Sequence, residues 1–534
     1  MFFTAGHAVQ IRREPGHRIP EYILPTDRDD PALWRSGYSS VFTRGAVPGA
    51  YSTSDIPRTG TIEYPLVLVD FNDLHFTSQD KNALMERYER IFNEQNYSDT
   101  ATYIFHGKTI HGATGSVSDY FRDQSYGQYT PKFKIIGPIT LSKGYAYYGS
   151  GKYDNVQQLV IDICDSIITY NLANLSGYAR QGTIDQLSII YAGRGENYYG
   201  SDPKTIWPQA ASLAISRKDS IIYNTGIRGI RYACTCELYW SSDSILDGIG
   251  TFCHEFSHTL GLPDFYNPES DSKSETDAAM GHWSIMDYGN YDNEGFSPVG
   301  YTAFEKYSLG WMDLEEITFA GNYALNDISC KPDPDAGIHT AYRLNTGNDD
   351  QFIILENHKK TGWYKYHATE GLMVTAVDYK QYNWDANLVN TSSKRYSILP
   401  ADNKYDRSSN SGDLYPYKNV DSITVNGTPQ LKAGSSYPSF SIYYIARKGD
   451  LVTFRAGYNL ITNAENPRLN ETLIEVSDGV LSVTAPIGSR VTIHDISGKI
   501  ISATTTTEPT QQIPLPSRGI WIIKCGDTVR KIQK

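Results

Sequence analysis

The sequence predicts an α/β domain followed by all-β domains of the β-sandwich type. Strand-like and helical patterns alternate from residue 61 to about residue 313, which is typical of an α/β layer architecture. Beyond residue 313 the helical patterns stop, and short strands separated by turn-forming residues take over. A chain of 534 residues is also too long for one compact core, so several domains are expected.

Residues 1–60 differ from everything that follows, because they are rich in Pro, Arg, Gly and Ser and show little periodicity. We interpret them as an irregular N-terminal arm and as the remnant of a pro-segment. Their first apolar stretch is too short for a signal peptide. No run in the chain approaches the roughly 20 apolar residues that a membrane helix needs, so no membrane-spanning segment is predicted.

Within residues 61–313, each predicted element has a recognisable pattern. The stretch "IEYPLVLVDF", which starts at Ile62, is a continuous apolar run and predicts a strand buried on both faces. Leu84, Tyr88 and Ile91 recur at helical spacing and predict the first helix. The other predicted elements are a helix with a capping box of Ser116 and Asp119, strands at "FKIIGPITL" and "TIDQLSIIYAG", and a helix at "NVQQLVIDICDSII".

The second half of the chain is predicted to hold a β-rich domain at residues 314–460 and a small C-terminal β-sandwich at residues 473–534. A polar linker at residues 461–472 separates them. Short strands of the β-rich domain are predicted at "AYRLNT", "QFIILENH", "GLMVTAVDY", "RYSILPAD" and "LVTFRAG". Those of the C-terminal domain are predicted at "GVLSVTAP", "RVTIHDISGK" and "GIWIIKCGDTVRKIQK".

Composition narrows the classes of partner. The net charge is −12 without a block of Lys or Arg, so neither nucleic acid nor an anionic membrane is expected to bind. The 41 tyrosines favour a β-rich extracellular protein, because tyrosine buries a ring and keeps a hydroxyl at a wet surface. The six cysteines show no C-x-x-C and no paired framework, so no structural disulfide is predicted. We expect a monomer.

The most informative stretch is "GIGTFCHEFSHTLGLPDFY", residues 248–266, which predicts a helix from about Ser244 to Leu260. One face of this helix is apolar and is expected to pack into the core. The opposite face carries His254 and His258, which lie one turn apart. The residues of the apolar face are Ile249, Phe252, Phe256 and Leu260.

The polar face fits the chemistry of a zinc hydrolase. Neutral imidazole is a good zinc ligand, and His254 and His258 can occupy two corners of a tetrahedron. Glu255 can take a proton from the attacking water and later pass it to the leaving amine. The H-E-x-x-H pattern by itself fixes only three positions, so an ordinary amphipathic helix is the alternative.

Residues after the helix strengthen the zinc interpretation. Gly261 lies where a left-handed residue lets the chain turn sharply. Asp264 follows three residues later and can turn back toward the metal. The third ligand stays open at this point, because Glu275 and Glu305 are alternatives and Glu305 lies on a helix-like segment.

A second motif, "HWSIMDYG" at residues 282–289, predicts a tight turn near the same site. Met286 can pack its thioether beneath the metal ligands. Tyr288 can offer its phenol to an oxyanion. Core packing is the alternative for Met286, and Tyr288 is one tyrosine among 41, but the nearby zinc helix favours the functional interpretation of both.

Several motifs occur together in the order of one family, over most of residues 60–312: "LVLVDFND", "GSVSDYFRDQSYGQYTPKFKIIGPITLSKGYAYYG", "IIYAGRGE", "IWPQ", "CHEFSHTLGLPDFY", "HWSIMDYG" and "SPVGYTAFEKYSLGWM". They resemble the M6-type metallopeptidases of the immune inhibitor A family, within the broader metzincin-like group. The resemblance implies a zinc metalloendopeptidase of the EC 3.4.24 type. One zinc ion would be bound by His254, His258 and Asp264, with Glu255 as the catalytic carboxylate. Metzincins usually have histidine as third ligand, so Asp264 departs from the broader group and fits the M6 pattern.

The same resemblance has two further implications. "SIMDYG" is similar to the methionine turn of astacin-like and serralysin-like enzymes, which implies that Tyr288 lies beside the metal. The strand "IIYAG" would border the substrate cleft, with its open edge pairing with an extended peptide. The expected substrates are therefore proteins or peptides.

The C-terminal motifs "GVLSVTAPIGSRVTIHDISGK" and "GIWIIKCGDTVRKIQK" resemble the sorting domain of Bacteroidetes type IX secretion cargo. This resemblance implies a secreted or cell-surface protein of Bacteroidetes-like origin, with the secretion machinery as a partner. A generic adhesive β-sandwich is the alternative interpretation of the same strands.

Two other interpretations concern the protein as a whole and a loop near the site. A surface-binding or adhesive protein that retains a peptidase fold without turnover is the alternative to an enzyme. The His–Glu–His set argues against it, because a binding scaffold does not need Glu255. The acidic stretch "NPESDSKSETDAA" is interpreted as a solvated loop, with calcium binding as the alternative.

Overall fold

The computed structural model describes residues 55–149, 155–199, 204–267, 279–405 and 410–459, and most of residues 473–533 in segments. The described residues up to Asn459 form one compact unit, and those from Leu473 form a second. No helix in these ranges is long and apolar enough to cross a membrane. All six cysteines are free thiols, as the sequence predicts, and only Cys330 is exposed.

The described residues of the first unit form eight α-helices and sixteen strands. The strands are β1 (Gly60–Phe71), β2 (Thr102–Phe105), β3 (Lys108–His111), β4 (Tyr129–Leu141), β5 (Ala179–Arg180), β6 (Thr183–Arg194), β7 (Gln209–Ala214), β8 (Gly229–Leu238), β9 (Glu315–Glu316), β10 (Gly321–Leu325), β11 (Ala341–Asn348), β12 (Gln351–His358), β13 (Gly371–Asp378), β14 (Tyr396–Ile398), β15 (Phe440–Lys448) and β16 (Leu451–Tyr458). The helices are α1 (Lys81–Asn93), α2 (Val117–Gln124), α3 (Val156–Thr169), α4 (Glu196–Tyr199), α5 (Ile221–Asn224), α6 (Gly250–Thr259), α7 (Ala303–Ser308) and α8 (Gln381–Asp385).

The α/β part is built on a sheet with the order β4-β1-β6-β8-β7, in which β5 also pairs with β6. Strands β4, β1, β6 and β8 run parallel, and β7 is an antiparallel edge strand. Residues of β1 alternate between two cores: Leu66 and Leu68 face one, Val67 and Val69 the other. We name the first the front core and the second the back core. This alternation confirms that the apolar run of β1 is buried on both faces.

The helices lie on both faces of this sheet, which gives the predicted α/β layers. Helices α1, α2, α6 and α7 pack in the front core, and α3 packs in the back core. The capping box of Ser116 and Asp119 at the start of α2 is present as predicted. In α1 the third buried position is Phe92 rather than Ile91, because Leu84, Tyr88 and Phe92 follow one another at four-residue spacing.

Strand β6 lies inside the sheet and not at its edge. It pairs with β1 on one side and with β8 on the other. The prediction that "IIYAG" offers an open edge to a peptide was therefore wrong. The strand at this edge of the sheet is β7, which pairs only with β8 among the described strands and lies against helix α6.

Residues 314–459 are rich in strands, as predicted, and add one short helix, α8. Their strands form a five-stranded sheet (β14-β13-β12-β11-β9) and a three-stranded sheet (β10-β16-β15). Strand β12 alternates between two cores: Phe352 and Ile354 belong to the front core, and Ile353 and Leu355 pack toward the three-stranded sheet. The front core is thus shared by the α/β part and the β-rich part.

The second unit consists of two small antiparallel sheets, one of three strands and one of four. Apolar residues from both sheets, including Ile474, Leu481, Ile493 and Ile523, form one core. This is the arrangement of a small β-sandwich. Its strands are β17 (Leu473–Ser477), β18 (Val480–Thr484), β19 (Arg490–His494), β20 (Ile500–Thr505), β21 (Thr510–Pro514), β22 (Ile520–Cys525) and β23 (Thr528–Gln533).

Candidate metal centre

Helix α6 begins at Gly250, so the prediction of a helix from Ser244 was wrong. The preceding chain pairs with the end of β8 instead, and the amide of Asp247 donates to the carbonyl oxygen of Glu237 at 2.7 Å. The helix start also approaches another segment closely. A Cβ atom on Gly250 would lie 1.9 Å from the carbonyl oxygen of Asn290, so only glycine fits there.

The apolar face of α6 is buried in the front core, as the sequence predicts. The ring of Phe252 lies 4.8 Å from that of Phe92, and the ring of Phe256 lies 4.9 Å from that of Phe121. Such aromatic packing fixes the rotation of the helix about its axis. The polar face with the two histidines is thereby held in one orientation.

Each histidine of α6 is oriented by a backbone carbonyl. Nδ1 of His254 donates to the carbonyl oxygen of Ile285 at 2.7 Å, and Nδ1 of His258 donates to that of Leu262 at 2.8 Å. A carbonyl only accepts, so the proton of each neutral ring lies on Nδ1 and the lone pair on Nε2. This is the tautomer in which Nε2 can bind a metal.

Asp264 meets both histidines. Its Oδ1 atom lies 3.2 Å from Nε2 of His254 and 3.2 Å from Nε2 of His258. The chain returns to the helix through Gly261, whose φ of 102° is in the left-handed region. The carboxylate is almost fully buried, and Oδ1 makes no conventional hydrogen bond.

The donor set fits a zinc ion. Two imidazole nitrogens and one carboxylate oxygen converge, which is a ligand combination that catalytic zinc uses. A buried carboxylate oxygen without a hydrogen bond is costly unless a cation pairs with it. His254, His258 and Asp264 would hold the metal.

Glu255 lies beside these atoms. One of its carboxylate oxygens and one nitrogen of each histidine are all within 4.8 Å of one another. By distance alone Glu255 is thus also a potential ligand. Asp264 is the better candidate for the third ligand, because its Oδ1 is equidistant from both Nε2 atoms and makes no conventional hydrogen bond. The carboxylate of Glu255 lies next to this group of atoms.

The electrostatics of the site favour a cation. Burial lowers the pKa of His254, but the carboxylates of Asp264 and Glu255 outweigh it and raise that pKa to about 9. Burial raises the pKa of Asp264, but the two histidines outweigh it and hold the pKa well below its usual value. Two carboxylates in a buried pocket create a negative potential that a divalent cation neutralises.

The turn at residues 284–287 supports the ligands through its backbone. Besides the carbonyl of Ile285, the carbonyl of Met286 accepts a hydrogen bond from the amide of Phe265 at 2.7 Å. Phe265 follows Asp264 directly, so the turn fixes the chain next to Asp264. The Met286 side chain is fully buried in the front core.

Tyr288 follows this turn and is buried, with about 5% of its surface exposed. Its ring lies 6.3 Å from that of His282 and 6.4 Å from that of Tyr266. His282 in turn pairs through Nδ1 with Asp292 at 2.8 Å. Tyr288 therefore lies near the rings of His282 and Tyr266. The sequence analysis singled out Tyr288 but did not predict these neighbours.

The alternative ligand Glu305 has a different environment. It is the third residue of α7, and its Oε2 accepts from the backbone amide of Thr302 at 2.6 Å in a capping box. Its Oε1 accepts from the hydroxyl of Ser284. Both oxygens therefore have partners away from the histidines. Glu275 and the proposed calcium loop fall on residues 267–279, of which 268–278 lie outside the described residues.

Sequence reasoning missed Asn387, which contacts Asp264 directly. The amide of Asp264 donates to Oδ1 of Asn387 at 2.6 Å, and Nδ2 of Asn387 donates to Oδ2 of Asp264 at 2.7 Å. These residues are 123 positions apart. Asn387 lies in "YNWDANLVN", which matches no motif, so only the fold reveals the contact.

The part of the chain that holds this site is similar to known metallopeptidases. Residues 58–315 match the family model described as immune inhibitor A peptidase M6, catalytic domain. The pre-pro-metalloprotease PrtV of Vibrio cholerae serotype O1 (strain M66-2) is 24% identical over 314 residues, which cover 52% of this chain and 33% of that protein. Immune inhibitor A of Bacillus thuringiensis subsp. alesti is 25% identical over 292 residues, which cover 48% of this chain and 41% of that protein.

The matched part of the chain thus spans only 33% to 41% of the length of these relatives. The matched range 58–315 contains His254, Glu255, His258, Asp264 and Tyr288. These matches support the M6 metallopeptidase family for this part of the chain.

Proposed function

We propose that the protein is a secreted zinc endopeptidase of metzincin-like type that hydrolyses peptide bonds in proteins. The observation that carries the proposal is the position of Oδ1 of Asp264, which lies 3.2 Å from Nε2 of both His254 and His258. A carboxylate of Glu255 lies beside this group. The family match supports the same reaction class.

Zinc, when bound, lowers the pKa of a water molecule and polarises the carbonyl of the scissile bond. Glu255 takes a proton from the attacking water while the oxygen of that water forms a bond to the carbonyl carbon. As the C–N bond breaks, Glu255 delivers that proton to the leaving nitrogen. Its place directly after His254 on a helix fixed by aromatic packing keeps the carboxylate near the reacting atoms.

Tyr288 is proposed to donate a hydrogen bond to the oxyanion that forms on the carbonyl oxygen. Such a donor acts mainly in the transition state, where the negative charge is largest. Its burial next to His282 supports this role, because a hydrogen bond is stronger in a site from which water is excluded.

The substrate is proposed to bind as an extended peptide along the edge strand β7. The outer side of an edge strand can form a ladder with another chain, and β7 pairs only with β8 among the described strands. Strand β7 lies against α6, the helix that carries the histidines. Binding through the backbone would suit protein substrates of varied sequence.

The second unit is proposed to serve as a type IX sorting-like module, which would place the protein outside a Bacteroidetes-like bacterium. The two-sheet sandwich and the C-terminal motifs support this proposal. Export can be tested by deleting residues 473–534 in the native host, which should leave the protein inside the cell. Unchanged release would contradict the sorting role.

The activity is tested with the purified full chain and an unfolded protein substrate. Metal analysis should find one zinc per chain, and cleavage should stop on treatment with a chelator and return when zinc is added. The variant Glu255→Gln is the matched control for a contaminating protease. Cleavage that survives both chelation and this substitution would contradict the proposal.

A further inference from the structure

Asn387 and Asp264 exchange two hydrogen bonds across the boundary between the α/β part and the β-rich part. Oδ1 of Asn387 accepts from the Asp264 amide at 2.6 Å, and Nδ2 of Asn387 donates to Oδ2 of Asp264 at 2.7 Å. One side chain therefore holds both the backbone and the carboxylate of the third ligand. Such reciprocal pairing fixes the side-chain torsion of Asp264 as well as its position.

The pairing also decides which carboxylate oxygen faces the histidines. Oδ2 of Asp264 is occupied by Asn387, whereas Oδ1 is directed at the two Nε2 atoms and makes no conventional hydrogen bond. An outer hydrogen bond to a ligating carboxylate orients the ligand and tunes the metal. Without Nδ2 of Asn387, the carboxylate could rotate away or present both oxygens.

The backbone conformation and the hydrogen bonds of the surrounding loop fix the position of Asn387. Asn387 has a φ of 56°, in the left-handed region that asparagine tolerates better than most residues. Just before it, the carbonyl oxygen of Asn383 accepts from the amide of Leu388 at 2.8 Å, and Nδ2 of Asn383 donates to the Leu388 carbonyl at 3.0 Å. These bonds close the loop around Asn387.

A neighbouring asparagine has a different set of partners. Nδ2 of Asn390 donates to the carbonyl oxygens of Phe265 at 2.7 Å and Tyr396 at 2.9 Å. Its Oδ1 accepts from the amides of Arg395 and Tyr396. All these partners are backbone atoms, so Asn390 holds the loop and the backbone at Phe265 but touches no ligand side chain. It provides a matched control for Asn387.

We propose that Asn387 is a positioning residue for the metal and that the β-rich part thereby completes the zinc site. The inference rests on the proposed function, since it takes Asp264 as the third ligand. It assigns to residues beyond 313 a role in metal binding, outside the range 58–315 that matches the peptidase family.

The test compares Asn387→Gly with Asn390→Ala in the full chain. Glycine accommodates the left-handed φ, so Asn387→Gly removes the side chain with little backbone strain. The zinc dissociation constant, measured by competition with a chromophoric chelator, should rise by about 10- to 100-fold in Asn387→Gly. The visible spectrum of the cobalt-substituted protein should also change, because the carboxylate no longer binds through a fixed oxygen.

Asn390→Ala should lower the melting temperature of the zinc-free protein, change the zinc dissociation constant much less than Asn387→Gly does, and leave the cobalt spectrum as in the wild type, because it removes only backbone contacts. If Asn387→Gly does not fold, Asn387→Asp replaces it, because that change keeps the size and the acceptor but removes the donor. A wild-type zinc affinity and cobalt spectrum in the folded Asn387 variant would overturn the inference alone. A wild-type chain that binds no zinc would instead contradict the proposed function.

Discussion

Nδ1 of His254 donates a hydrogen bond to the carbonyl oxygen of Ile285 at 2.7 Å. This bond ties the histidine helix to the turn at residues 284–287, which also fixes Phe265 through the carbonyl of Met286. The turn therefore acts on the site through two backbone carbonyls. The Met286 side chain is buried in the front core and anchors the turn there, whereas the Met286 carbonyl binds the amide of Phe265.

Replacing Glu255 by glutamine should nearly abolish peptide cleavage while zinc stays bound. Glutamine keeps the shape of the side chain but cannot take the proton of the attacking water. Cleavage of an unfolded protein and zinc content are measured on the same preparation. Near-normal cleavage by Glu255→Gln would show that another group is the base.

Replacing Asp264 by alanine should strip zinc from the protein, because a carboxylate at 3.2 Å from both Nε2 atoms is removed. Glu305→Gln is the control, since Glu305 is equally buried but accepts hydrogen bonds from Thr302 and Ser284. It should lower the melting temperature and retain one zinc per chain. Loss of zinc in Glu305→Gln with retention in Asp264→Ala would reverse the assignment of the third ligand.

Replacing Tyr288 by phenylalanine should lower kcat by about 10- to 1,000-fold, the range for one oxyanion donor, and change KM little. The ring stays in place, so its packing near His282 is retained. Steady-state kinetics on a quenched fluorescent peptide separate the two constants. A kcat within twofold of the wild type would reduce Tyr288 to a packing residue.

Replacing Gly261 by alanine should destabilise the protein by about 1–2 kcal/mol and weaken zinc binding, because φ at this position is 102°. The strain falls on the turn that returns Asp264 to the helix. Gly337→Ala is the matched control: its φ is 74°, and nothing lies within 4 Å of the added Cβ. Both variants should lose similar stability in urea unfolding, and only Gly261→Ala should lose zinc affinity.

Because of His367, the free energy of unfolding should be lower in mild acid than at neutral pH. Burial, together with nearby His358, His282 and Lys360, holds the pKa of His367 well below its ordinary value of 6.5. Below about pH 6.5, His367 is therefore protonated in the unfolded chain but stays neutral in the folded protein. As the pH is lowered from about 6.5 to the pKa of folded His367, the free energy of unfolding decreases. The slope from one such group is at most about 1.4 kcal/mol per pH unit.

This pH dependence is measured by urea unfolding of the wild type and of His367→Phe between pH 7.5 and about pH 5. The phenylalanine keeps a ring against Trp283, whose ring centroid is 4.2 Å from that of His367. The variant should lose less stability than the wild type on acidification. Parallel curves for the two proteins would show that His367 does not titrate differently in the folded state.

Local patterns predicted much of the α/β part correctly. The capping box of Ser116 and Asp119, the apolar face of α6 and the double burial of β1 all depend on spacing within a few residues. The pairing of His254 with His258 is of the same kind, because one helical turn fixes their distance. The predicted start of α6 at Ser244 was wrong, because Leu246 still pairs with Leu238 at the end of β8. The helix begins only after this pairing, at Gly250.

The sequence by itself thus determined that His254, Glu255 and His258 lie close together on α6. The tertiary structure decided that β7 rather than β6 lies at the edge of the sheet, and that Ile285 and Asn387 hold His254 and Asp264. The physical reason is the range of the interactions. Helical spacing acts over a few bonds of one chain, whereas strand order and the contact between residues 123 positions apart depend on how distant segments pack around a shared core.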